Sequence, residues 1–91
     1  MKSILQTEKE CFVCKTTYGL EEHHCMYGSA NRKQSEKYGL KVWLCHEHHR
    51  GNSGVHFNKE LDLKIKKIAQ STFEREHTRE EFRAIFGKSW L

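Results

Sequence analysis

Around Leu44-Cys45-His46-Glu47-His48-His49, thiol and imidazole groups crowd into a few consecutive positions, and two other segments supply partners of the same kind. Upstream lies the thiol pair of Cys11-Phe12-Val13-Cys14, and in between lies the imidazole pair of Glu21-Glu22-His23-His24. Cys11-x2-Cys14 taken with Cys45-x2-His48 gives two close donor pairs, the set that a tetrahedral zinc requires. The two-residue gap lets both donors of a pair reach one ion with little strain. His49 is the alternative fourth donor. Cys25 is left over and reads as a small core residue.

The adjacent histidines predict a second centre. Neighbours on a helix diverge by about 100°, so if His48 faces the thiolates, His49 faces elsewhere. Neighbours on a strand point to opposite faces, which separates His23 from His24. One member of each pair can then meet a second metal ion, leaving the other strand histidine free to act on water. Imidazole suits that role because its ordinary pKa of about 6.5 allows proton abstraction near neutral pH. His46 and His77 read as surface or core histidines without a ligand role.

These groups need elements to position them. Residues 1–10 are polar and read as a frayed lead-in. Residues 20–27 predict a β-strand, and residues 28–39, polar, basic and bounded by glycines, predict a long loop. Leu40-Lys41-Val42-Trp43-Leu44 is β-prone and reads as a second strand that leads into a short helix at Cys45. Gly51-Asn52-Ser53-Gly54 interrupts that helix. A longer helix follows from Asn58, a natural N-cap, to about residue 76, with Leu61, Ile65, Ile68, Ala69, Thr72 and Phe73 on one stripe. Thr78 with Glu81 is a capping box opening a last helix, and Gly87 is its stop. The expected class is α+β in a single domain: a metal-stabilised core over residues 11–57 with helices over 58–91 packed on it.

Composition fits that picture. The chain has 91 residues, 36% hydrophobic and 31% charged, a thin core for its size. A structural zinc contributes on the order of 10–16 kcal/mol of apparent binding energy, which would be the largest single stabilising term here. Lys plus Arg number 16 against 12 for Asp plus Glu, a net charge of +4, which points weakly to a polyanionic partner. Arg32, Lys33, Lys37 and Arg50 flank the reactive histidines and are the expected phosphate contacts. Lys59, Lys64, Lys66 and Lys67 read equally as phosphate contacts or as a solvated helix face. No apolar run approaches a membrane span and the N-terminus has no signal-peptide pattern, so the expected compartment is cytoplasmic, with thiols kept reduced for metal.

Paired histidines ending a strand, then a loop, a second strand and Leu44-Cys45-x2-His48-His49 resemble the ββα-metal fold of HNH endonucleases, in the subgroup with a structural zinc. The resemblance covers roughly residues 11–57, about half the chain. The Gly51-x2-Gly54-Val55-His56 continuation and the closing Phe86-Gly87-Lys88-Ser89-Trp90-Leu91 are similar to small phage-encoded members. The phage recombination-enhancement nuclease is a more distant likeness. The resemblance implies that His23, His49 and His56 hold a catalytic divalent ion such as Mg²⁺, Mn²⁺, Ni²⁺ or Zn²⁺. It implies His24 as the general base, and Asn31 in the inter-strand loop as the residue that orients it. The implied activity is hydrolysis of DNA phosphodiesters, by nicking or strand cleavage with little sequence preference, as a homodimer or within a larger phage or recombination complex. Two other functions compete. One is a non-catalytic zinc module that binds nucleic acid or protein. The other is an adaptor docking through Phe82, Phe86 and Trp90.

Overall fold

Leu20 to His24 form β1 and Lys41 to Cys45 form β2, and the two pair antiparallel with Glu22 opposite Trp43 and His23 opposite Val42. The computed structural model describes residues 2–91. Between the strands runs α1 (Ser29–Tyr38); after them come α2 (His46–His49), α3 (Lys59–Phe73) and α4 (Arg79–Phe86). The result is a small α+β unit with a two-stranded sheet and four helices. No helix among the described residues is long and apolar enough to cross a membrane.

The segment expected as a loop over residues 28–39 is mostly helix α1, a correction with a clear cause. Ser29-Ala30-Asn31-Arg32-Lys33-Gln34 holds no β-branched residue and several good helix formers. Its stop is Gly39, left-handed at φ 71°, whose N–H reaches back to the Glu36 and Ser35 carbonyls. Besides Tyr38, which packs on Phe73, what anchors the helix is polar. The Ser35 hydroxyl, fully buried, donates to the Met26 carbonyl at 2.8 Å and accepts from the Met26 N–H at 3.1 Å. A helix pinned this way needs no apolar stripe, so the hydrophobic pattern does not announce it.

The polar lead-in is not frayed either. Ile4 N–H donates to Gly39 O, the Ser3 hydroxyl donates to Lys41 O, and Gln6 Oε1 accepts from Trp43 N–H at 2.8 Å. Phe12 N–H then takes Trp43 O. Residues 3–12 thus follow the side of β2 that faces away from β1. β1 ends at His24, earlier than expected, and Cys25 and Met26 turn into the core.

The two capping signals act as predicted. Asn58 Oδ1 accepts from Leu61 N–H, and Thr78 and Glu81 form the reciprocal box before α4. α3 ends at Phe73, three residues short of expectation, and buries Ile65, Ala69, Gln70 and Phe73. Ile68 instead faces solvent. Phe82 and Phe86 are buried against Phe73, and Trp90 closes on Phe82. These rings cover the core, which removes the exposed aromatic face that an adaptor would use. Cys25 is completely buried among Met26, Leu40, Val42 and Leu44, the ordinary core role expected of it.

Candidate metal centres

The first centre is built from two turns. Around Cys11, Lys15 N–H donates to Cys11 O and Cys11 N–H to Thr16 O, a tight return that requires Lys15 to adopt φ 67°. β2 delivers Cys45 as the N-cap of α2, and one short turn later His48 swings back to it. Zn–S bonds near 2.3 Å and Zn–N bonds near 2.0 Å put tetrahedral S···S edges at about 3.8 Å and S···N edges at about 3.5 Å. The observed separations are 3.8 Å for Cys14 Sγ to Cys45 Sγ, and 3.7 and 3.2 Å from His48 Nδ1 to Cys11 Sγ and Cys45 Sγ. Cys11, Cys14, Cys45 and His48 can therefore hold a metal ion such as zinc. Burial alone would raise the Cys11 thiol, but backbone N–H groups of Cys14, Cys45 and Val13 outweigh it and bring the thiol down to about 6. That favours the thiolate, the form that binds metal. The Cys45 thiol goes the other way, raised by burial and by the neighbouring thiols Cys11 and Cys14.

The second centre is all histidine. His23 from β1, His49 from α2 and His56 from the loop before α3 bring their ring nitrogens within 4.8 Å of one another. Ring centroids lie 5.2 Å apart for His23 and His49, 5.0 Å for His49 and His56, and 5.8 Å for His23 and His56. The glycine-rich insert makes this possible. Val55 N–H donates to the His48 carbonyl, and Gly54 lies so close that a Cβ there would stand 2.7 Å from the His49 carbonyl carbon. The chain folds straight back onto α2, and His56 rejoins the cluster.

His23 is 3% exposed, and its Nε2 has no hydrogen-bond partner among the described residues. A buried nitrogen left unpaired costs about 1–3 kcal/mol, so the donor set here fits a metal ion. Burial, then the positive potential of His49, His56 and His24, pushes the His23 imidazole down to about 3. His56 is also lowered, first by burial and then by His49 and Arg50. Both rings are neutral at pH 7 and have lone pairs to give. The Glu21 carboxylate stands 2.6 Å from His49 Nδ1 and fixes the N–H there, which leaves Nε2 of His49 as the donor atom. The histidine bond, above all, holds Glu21 below the usual carboxylate range.

His48 and His49 thus part as expected, His48 to the thiols and His49 to the histidines. His24 sits outside the triad but lines the same depression of about 210 Å³, together with His23, Tyr27, Arg32, Arg50 and His56. Lys33 lies beside His24 and Arg32 in an adjoining groove, whereas Lys37 rests over the Tyr38 ring and lines neither the depression nor the groove. Arg50 is 3.3 Å from Glu21 with most of its side chain in solvent. Lys66 is neither solvated nor free for phosphate: it pairs with Asp62 at 2.9 Å and lies over Tyr27.

Asn31 lies on α1 rather than in a loop, and its amide donates to the Phe86 carbonyl at 3.5 Å, bridging α1 to α4. The group that meets His24 is Glu36, with Oε1 2.9 Å from Nε2. Glu21 and Glu36 escaped the sequence reading. Glu21 had a signal, since it precedes His23 by two and shares its strand face. Glu36 had none, because its helix was not foreseen. Set against protein-family models, curated proteins and solved structures, the chain finds no match in any of the three.

Proposed function

We propose that this chain is a metal-dependent endonuclease of the HNH type that hydrolyses DNA phosphodiesters. The observation that carries the reading is the orphaned His23 Nε2 facing His49 and His56 in one depression with His24 and two arginines. A structural module gains nothing from three imidazoles gathered around one point beside a fourth. Cys11, Cys14, Cys45 and His48 would hold a structural zinc that joins the N-terminal turn to β2 and α2. His23, His49 and His56 would hold a divalent ion, which supplies Lewis-acid stabilisation of charge on the phosphoryl and leaving oxygens. Arg32 and Arg50 receive the flanking phosphates, a sequence-independent contact. His24 takes one proton from water as the water oxygen bonds to phosphorus. The bond to the 3′ oxygen breaks, and solvent protonates that oxygen.

The test is supercoiled plasmid with Mg²⁺, Mn²⁺ or Ni²⁺, comparing wild type with His24→Ala after both are shown to carry one zinc. Nicked circles from wild type and a loss of about 10²–10⁴-fold in the variant are expected. Plasmid binding without cleavage under every ion would hand the molecule to the zinc-module reading.

A further inference from the structure

The carboxylate beside His24 belongs to a chain of polar contacts that the reaction as described does not use. Glu36 Oε1 lies 2.9 Å from His24 Nε2, and its other oxygen lies 2.8 Å from Lys41 Nζ. Lys41 also stands 3.5 Å from Glu22, which itself is 3.9 Å from His24. The His24 side chain is 10% exposed, so the ring sits in a nearly closed slot with a carboxylate on one nitrogen.

We propose that Glu36 is a positioning residue: its Oε1, 2.9 Å from His24 Nε2, accepts the Nε2–H and so orients the ring with Nδ1 as the atom that takes the proton from water. Lys41 keeps Glu36 an anion and sets its rotamer. Consistent with that, the lysine contact first and the His24 contact second hold Glu36 far below the usual carboxylate range. The two oxygens of Glu36 have separate partners, so each half of the network constrains the other. An amide in place of the carboxylate has only one oxygen. Lys41 claims that oxygen, the amide N–H₂ turns to His24, and the ring proton is displaced to Nδ1, where it blocks the base.

This inference rests on the nuclease reading for its kinetic consequence, but not for its structural one. Long-range ¹H–¹⁵N correlation of zinc-loaded, uniformly labelled protein at pH 7.5 reads the His24 tautomer without any cleavage assay. The expected spectrum shows a protonated Nε2 and an unprotonated Nδ1 in wild type, with the proton moved to Nδ1 in Glu36→Gln. In plasmid cleavage Glu36→Gln should lose about 10²-fold or more in kcat, with KM and zinc content unchanged and partial rescue in Glu36→Asp. A wild-type His24 protonated on Nδ1 or on both nitrogens overturns the proposal even if the variant fails to fold. So does a folded Glu36→Gln with wild-type kcat. The expected tautomer in a wild type that never cuts DNA would keep Glu36 in its orienting role and overturn the nuclease reading instead.

Discussion

The two candidate centres lie back to back on one short helix, yet they are built in opposite ways. Cys11, Cys14, Cys45 and His48 come as two pairs on tight turns, with separations already close to the edges of a zinc tetrahedron. His23, His49 and His56 come singly from a strand, a helix and a glycine loop, and they open onto a solvent-lined depression. The first set leaves no coordination position for anything else. The second has three protein donors and room for more, the difference that separates structural from reactive metal sites. Adjacent residues, His48 and His49, serve the two.

Several substitutions would break or sharpen that division. The largest effect is expected at the thiolate centre. Cys45→Ser removes a ligand whose ion contributes on the order of 10 kcal/mol or more, against a total stability of about 5–15 kcal/mol for a folded domain. Circular dichroism and zinc stoichiometry should report an unfolded, zinc-free chain. His49→Ala, one residue from His48, should keep both the fold and the zinc while losing second-ion binding by calorimetry and about 10²-fold or more of cleavage. If it unfolds like Cys45→Ser, the division of labour between the centres is wrong.

Gly54→Ala tests how the second centre is closed. A methyl group 2.7 Å from the His49 carbonyl carbon must push the loop outward, costing about 1–3 kcal/mol of stability. Affinity for the second ion should fall while the zinc content stays at one. Acid should act on the same centre. Unfolded His23 takes a proton near its ordinary pKa of about 6.5, whereas the folded, buried ring waits until about 3. Unfolding therefore takes up a proton between those values, and stability falls as pH drops through that window. The contribution is at most about 1.4 kcal/mol per pH unit. It should appear as the pH-dependent difference between wild type and His23→Phe in urea unfolding without the second ion. The smallest effect is on the thiolate side. Lys15 sits at φ 67°, so Lys15→Gly should add about 1 kcal/mol and a few degrees of melting temperature, with cleavage unchanged.

Much of this organisation was legible in the sequence where the signal is local. The x2 spacing of the two donor pairs, the divergence of His48 from His49, and the caps at Asn58 and Thr78 follow from helix and turn geometry alone. What stayed hidden depends on contacts between distant segments. α1 is tied down mainly by polar contacts, the buried Ser35 with Asn31 and Glu36, rather than by an apolar stripe, so its polar sequence read as loop. With α1 unseen, Asn31 seemed free to reach His24, and Glu36 had no reason to be noticed. The HNH reading of the whole remains a proposal carried by the histidine cluster.

Residues 3–12, which bond along β2 from Gly39 to Trp43, have a consequence for how the molecule behaves among its own copies. An uncovered strand edge offers main-chain groups to any passing chain and seeds intermolecular sheets. Here the outward groups of Lys41 and Trp43 are already taken, so a chain cut back to Cys11 should lose solubility well before it loses its metal centres.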